Sequence, residues 1–511
     1  MLRSISRLYR KEISSRGMGV FRILYAINLF FEVLRIYRFR ELYFDPIPFV
    51  EPNTGHQSLF LVLWLIVLAL LALGAFSRLM SIANYLLTVY FFGSIGSFEY
   101  HMDYIYLGVG FLMMFVPLAR SYSLDRWILL QRNRRNENIV VPPQRVSALY
   151  YNLIFLVGVG FVYFGSVFFK FKSEMWMGGL GIWLPGSIPQ ATILDDQWLL
   201  NREYVMKFLS YLTLVFEVAL PFIFFIKRFR ALLFIIGVGL HIGILFQFPI
   251  PYFALGVVSI YVLLLPVSYW DRLARWFARR SNSEEIKKEI TTTSVMRRKI
   301  DTPRTRWEVL AFKVLVVFLF LFQFNATFNF PFSDGIVSYV VSKSEASRKP
   351  IAKALQQKKR LMMFTKKYLG IGPHGVFVDG HFIGYDRLVS VSYDGKLLPM
   401  YDERGMPGHY LSGGSWADFN FRVNKPFVMR HKKNLKRGLI RYTAYWAHEN
   451  NVDLENAAFE VVMKNIEATF EWEKDLLKRN QESPWYPIGY LRWESTQPSF
   501  ELEKKYTVDG R

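Results

Sequence analysis

The sequence predicts a polytopic all-α membrane domain of about nine transmembrane helices, followed by an α+β extracytoplasmic domain. Three observations carry this expectation. Residues 58–76 run for nineteen positions without a charge, enough helix to cross the roughly 30 Å hydrocarbon core of a bilayer. Eight further apolar blocks alternate with basic clusters. Past residue 335 the composition shifts to that of a water-soluble fold.

The blocks fall at 20–34, 58–76, 82–95, 104–118, 148–169, 208–226, 231–248, 252–267 and 309–328. A signal peptide is a poor account of the N-terminus, because Glu32 and Arg35 interrupt the first run and no small-residue cleavage site follows. Basic residues are retained on the cytoplasmic side of short loops. With the N-terminus inside, the inner segments hold 26 Lys+Arg and the outer ones 7. An odd number of crossings then places everything after the ninth outside. The chain is therefore expected in an inner (cytoplasmic) membrane, with a cytoplasmic N-terminus and a periplasmic C-terminal domain.

The domains expected are 1–335, the membrane unit, and 336–511. Residues 281–305 read as a polar cytoplasmic linker, and 347–367 as a basic amphipathic helix near the membrane surface. Strand-like runs follow at 374–381, 388–393, 396–401 and 419–423. Asp394-Gly395 marks a hairpin between the middle two. Helices are expected at 435–448 and 452–479, before an aromatic end at 485–493.

Composition closes several routes. Hydrophobic residues make up 52% and aromatics 17%, which excludes a disordered chain. With no cysteine, zinc ribbons, thiolate catalysis and iron–sulfur clusters are excluded. The net charge of +22 is largely topological, and no groove-reading motif accompanies it, so no nucleic-acid partner is expected.

Polar residues inside apolar blocks are costly unless they pair or line a cavity, so chemistry is sought there. Asn28, Glu32 and Arg35 share one helix face, with Glu32 and Arg35 expected to pair. Thr213, Glu217 and Pro221 share another. His241 sits in GVGLHIGIL, where Gly239 and Gly243 permit close helix approach. His101 lies beside Glu99 and Asp103. Lys170 ends the run FVYFGSVFFK. It either snorkels to the interface or stays out of water, where a neutral amine could serve as general base. His374, Asp379 and His381 form a metal-like cluster, read here as a solvated hairpin with no metal.

Tyr163-Phe164-Gly165 with Lys170, Trp176 and Gly178 resembles the signature of the vitamin K-dependent γ-carboxylase-like family, which shares the horizontally transferred transmembrane domain. Gly19-x-x-Arg22, His101, Pro117, Ser123-Leu124-Asp125, Glu217, Pro221 and His241 follow in the same order, over roughly residues 15 to 270. The resemblance implies a lyase and epoxidase chemistry driven by reduced vitamin K or a menaquinone-type quinol. In it, Lys170 deprotonates the quinol with support from His101, and His241 and Glu217 complete the catalytic set. Tyr163 and Trp176 would lie beside the quinone. Animal carboxylases carry two adjacent lysines, whereas Phe171 separates Lys170 from Lys172 here.

Two function classes follow. One is a quinol-dependent modifier of exported peptides or proteins in the bilayer. The other is a non-catalytic membrane maturation or scaffold protein for an exported partner, in which Lys170 merely snorkels. A transporter is weaker, since repeated halves are not seen.

Overall fold

The computed structural model describes residues 2–50, 55–95, 100–280, 305–328, 348–382, 386–408, 410–424, 432–494 and 496–503. Residues 281–304 of the expected linker and the boundary near 335 lie outside them. Among the described residues a helix stands at each of the nine expected blocks. These are α1 (Arg16–Arg38), α2 (Ser58–Leu73), α3 (Ser77–Thr88, continuing as a π turn at Val89–Ile95), α4 (His101–Met113), α5 (Ala148–Lys170), α6 (Glu203–Ile223), α7 (Arg230–Gln247), α8 (Pro251–Tyr261) and α9 (Arg306–Phe328).

Among the described residues only α1, α5, α6, α7 and α9 are long and apolar enough to cross a membrane, with a sixth if Pro251–Leu264 and Val267–Phe277, bent by 94°, form one span. The expected count of nine therefore exceeds what length and composition support. The block at 58–76 is cut short because Gly74 adopts a left-handed φ of 69° and caps α2. The described residues are mostly helical, with five apolar helices long enough to be spans and a small sheet region, an arrangement compatible with a multi-pass membrane protein.

The helices differ in burial, α5 being enclosed and α7 touching the rest along a narrow stripe. In α7 the buried residues are Leu233, Gly237 and His241, four apart, while Leu232, Ile235, Ile242 and Phe246 stay exposed. A helix apolar all round with one small-residue seam suits a lipid surround, where packing rather than hydrophobicity drives association. The close approach comes from Gly237, where an added Cβ would stand 2.5 Å from Tyr261. Gly239 and Gly243, expected to make it, have open space at that position.

The C-terminal part begins with α10 (Arg348–Leu369), as the amphipathic pattern predicts, packed against α4 and the π turn after α3. Two short strands near the N-terminus, β1 (Glu12–Ser14) and β2 (Arg145–Ser147), pair antiparallel. The main sheet is β3 (Arg387–Tyr393), β4 (Lys396–Leu397), β5 (Ala458–Asn465), β6 (Trp485–Glu494) and β7 (Gln497–Leu502), antiparallel in the order β4-β3-β5-β6-β7. The Asp394-Gly395 hairpin joins β3 to β4 as expected, with both residues at positive φ. A helix, α11 (Lys432–Glu449), covers the expected 435–448.

Three assignments fail for local reasons. Residues 419–423 form a π turn, burying Phe419, Asn420 and Val423 at helical rather than alternating spacing. Residues 374–381 end in a short 3₁₀ turn, Asp379–His381, because Asp379 is drawn away to cap another element. The helix expected across 452–479 is instead β5 followed by a short helix, Leu476–Glu482. Pairing with β3 on one side and β6 on the other, which buries Phe459, Val461, Val462 and Met463, decides it.

One contiguous hydrophobic core runs from Ile5 to Trp493. Arg441 of α11 donates to the carbonyls of Leu42 (2.7 Å), Glu41 (2.6 Å) and Asp45 (2.8 Å). Trp416 Nε1 reaches the Gln190 carbonyl at 3.0 Å. The two parts are interlocked through backbone groups that would otherwise be buried without partners.

Candidate functional site

Lys170 closes α5 and is buried, 5% exposed, while Lys172 two residues on is exposed. Its Nζ lies 2.5 Å from Glu217 Oε1 and 4.3 Å from the centroid of the Trp176 ring. Snorkelling is thus not the conformation adopted. The ammonium is held by a carboxylate and an aromatic face, both of which gain strength out of water.

Glu217 projects from the face of α6 that also carries Thr213 and Pro221, all three buried. Pro221 lacks the N–H that would close the helical bond to the Glu217 carbonyl. The second carboxylate oxygen accepts from Ser166 Oγ at 3.4 Å, so α5 supplies both partners. Trp176 is fixed from two sides: its ring lies over Gly181, where a Cβ would stand 2.3 Å from it, and its Nε1 donates to the Phe377 carbonyl at 2.5 Å. Gly181 is required by that contact.

A second group stands deeper on α5. Tyr163 lies two turns before Lys170, on the same face. Its hydroxyl is 3.3 Å from His241 Nε2 and accepts from Tyr261 at 3.1 Å. His241 Nδ1 bonds the Gly237 carbonyl at 2.8 Å, which fixes the ring. The charges of Glu217 act on Tyr163 and Tyr261, and that of Lys170 on His241, so the two groups are electrostatic neighbours. A π turn at Leu156–Gly160 interrupts α5 just before Tyr163, a feature frequent at functional sites.

His101, at the start of α4, faces His374 from the C-terminal part, ring centroids 5.9 Å apart, with Tyr104 edge-on to both. His101 Nε2 and His374 Nδ1 are shielded and have no hydrogen-bond partner. His374 packs on α5 at Gly165, where a Cβ would stand 3.2 Å from its ring, and Gln323 of α9 approaches the same point at 3.3 Å. Gln323 Oε1 is likewise buried and unpartnered. Burial lowers the His374 pKa to about 4, so the ring is neutral.

Of the expected residues, Lys170 meets both Glu217 and Trp176, Tyr163 and His241 form the adjoining group, and His101 faces His374, which packs on Gly165 of α5. The expected Glu32–Arg35 pair is not among the ion pairs of the described residues. Glu32 accepts from the Tyr100 hydroxyl and Arg35 donates to the Tyr410 carbonyl, because α4 and the C-terminal part offer nearer partners. The solvated hairpin expected at His374, Asp379 and His381 is corrected too. Asp379 accepts from the backbone of Glu174 (2.8 Å) and Met175 (3.2 Å) and from Ser173, while His374 turns inward.

Sequence reasoning missed His374, Ser166, Tyr261 and Gln323 as neighbours of the site. For Gln323 a signal existed: an amide inside an apolar span. Several residues of the collinear motif serve the scaffold. Buried Arg22 donates to the Leu118 (2.8 Å), Ser121 (3.3 Å) and Tyr122 carbonyls, and Asp125 accepts from the Phe76 (2.7 Å) and Ser77 (2.8 Å) amides.

No family model, no curated protein and no solved structure matches this chain.

Proposed function

We propose that this chain is a membrane-embedded, quinol-dependent modifier of exported peptides or proteins, of the vitamin K-dependent γ-carboxylase-like kind. The observation that carries the reading is the Lys170–Glu217 pair, buried at the end of α5 beneath Trp176. The pair acts as one base. A proton taken from a hydroxyl at the site leaves Lys170 as ammonium and Glu217 as carboxylic acid.

Trp176 and Tyr163 are the aromatic residues that would contact a reduced quinone, and His101 Nε2, His374 Nδ1 and Gln323 Oε1, shielded and without hydrogen-bond partners, could meet its oxygens. When bound and oxygenated, that cofactor supplies the strong base that removes a γ-proton of a peptide glutamate so that carbon dioxide can add. Ser166 holds Glu217 and Tyr261 holds Tyr163 in place. On this reading the chain sits in an inner membrane with nine crossings, α2, α3, α4 and α8 being short ones. The N-terminus is cytoplasmic and residues 336–511 are periplasmic.

A second reading has its own observation. Lys170 and Glu217 satisfy each other, as a structural pin would, and the chain would then be a non-catalytic maturation scaffold for an exported partner. One experiment separates the two. Membranes carrying the protein receive labelled carbon dioxide and reduced quinone, and exported proteins are examined for label. Label that depends on Lys170 supports the enzyme; its absence with both substrates present supports the scaffold.

A further inference from the structure

Asn28 and Glu32 stand one turn apart on α1, both buried, where α4, α8 and the C-terminal part close over that helix. The Asn28 amide uses both its hydrogens, one on the Tyr106 hydroxyl at 2.8 Å and one on the Tyr252 carbonyl at 2.9 Å. A carbonyl only accepts, so the amide cannot be turned round, and its Oδ1 is left buried without a partner. Glu32 Oε1 accepts from the Tyr100 hydroxyl, while Glu32 Oε2 is likewise buried and unpartnered. Among the described residues no ion pair reaches Glu32; Arg35, one turn further on, is turned to the Tyr410 carbonyl.

Two unmet acceptors and one uncompensated carboxylate make a single demand. A water molecule would satisfy the lone pairs and leave the charge, which is costly away from solvent. One positive charge answers both. Room for it is limited: a Cβ added to Gly256 of α8 would stand 2.9 Å from Asn28 Nδ2, and one added to Gly413 would stand 3.8 Å from Glu32 Oε1. Backbone packed this closely suits an ion of atomic size rather than an organic ammonium.

We propose that Asn28 and Glu32 bind one small positive charge, a proton or an alkali cation, and that its binding holds the C-terminal part against α1. Gly413 makes the contact. At a left-handed φ of 59° it lies against the Tyr252 ring and Glu32, donates to the Pro249 carbonyl at 2.7 Å, and opens the short helix Gly414–Asp418. With the charge bound, Glu32 is neutralised and stays beneath Gly413. Without it, the carboxylate is drawn to water and the segment lifts. The ion therefore binds the closed form in preference, and its concentration sets how much of that form is present. The other titratable and charged groups around the site are Tyr100, Tyr106 and Asp103 of the α4 end, Tyr252 of α8, and Arg35; Asp103 is engaged by the Tyr100 amide at 2.8 Å. The site is separate from Lys170 and stands whichever way that residue is read.

The test is hydrogen exchange of the full-length protein in detergent, read by mass spectrometry over residues 411–418 and corrected for the intrinsic effect of pH on exchange. One titration lowers pH in choline chloride. The other replaces choline by sodium or potassium at fixed pH and ionic strength. Protection should rise about ten-fold by roughly ten times the half-saturating ion concentration. A rise with falling pH alone identifies the proton, and a rise with sodium or potassium identifies the alkali ion. Glu32→Gln is neutral and carries its own donor for Asn28 Oδ1, so it should keep the segment closed under every condition. Asp418, whose pKa burial raises to about 6, ends the same short helix and remains in that variant, which separates its titration from that of Glu32. Wild-type protection that answers to neither titration, a readout that needs no variant, would overturn the proposal. A response that survives unchanged in Glu32→Gln would overturn it as well.

Discussion

Lys170 Nζ and Glu217 Oε1 stand 2.5 Å apart with both side chains 6% exposed, each the other's counter-ion at the meeting of α5 and α6. Removing either one strands a charge. Lys170→Met and Glu217→Gln should each lower stability by about 3–5 kcal/mol, and the double variant should recover most of that loss. Thermal unfolding of the detergent-solubilised proteins measures it. Single variants as stable as wild type would show that the pair is not maintained.

Lys170→Arg keeps the charge and the ion pair, so folding should survive. A guanidinium does not release its proton, and quinol-dependent modification should fall at least about a hundred-fold. Exposed Lys172 changed to Arg or Met should leave activity within about two-fold. Full activity in Lys170→Arg would remove the base from the mechanism.

His374 gives a pH prediction with a definite sign. Its pKa is held at about 4 by burial against an ordinary value of 6.5. The unfolded chain therefore binds a proton in this window that the native chain refuses. Stability is complete above about pH 6.5 and is lost as pH falls from there toward 4, by roughly 3 kcal/mol in all. His374→Gln should flatten this slope, and unfolding midpoints taken at pH 7, 5.5 and 4.5 would show whether it does.

Truncation after residue 335 should yield a polydisperse protein. It removes His374 and Trp416 from a continuous core and leaves the Leu42 and Asp45 carbonyls without Arg441. Size-exclusion chromatography in detergent decides; a monodisperse truncated form would mean that the membrane unit is self-sufficient.

Alkaline phosphatase fused after residue 340 should be active, and fused after residue 270 inactive, if basic residues set the orientation. The opposite pattern would invert the topology and place the sheet in the cytoplasm.

Helices were legible because an apolar block of some twenty residues has few other fates. Crossing was less so: α4 reads as apolar through residue 118, yet its helix ends at Met113, before Pro117. Lys170, Glu217, His241 and His101 stood out because charge and imidazole are costly in hydrocarbon. The partner of His101 did not, since His374 is 273 positions away in a segment that reads as an exposed strand. His374 is admitted by Gly165 of α5, and a glycine in an apolar helix has many uses. The strand at 458–465 was lost for another reason: its charged surroundings mimic a helix, and alternation over a few residues is a weak signal.

The seating of His374 on Gly165 also orders events during synthesis. Ribosomes deliver α5 some two hundred residues before the segment that completes its surroundings, so the nascent membrane bundle waits with an open flank. Until residues 374–379 arrive, Ser173 and the amides of Glu174 and Met175 lack Asp379, and Trp176 lacks the Phe377 carbonyl. Trp176, which lies over Lys170, is therefore held on one of its two sides until that segment has been made.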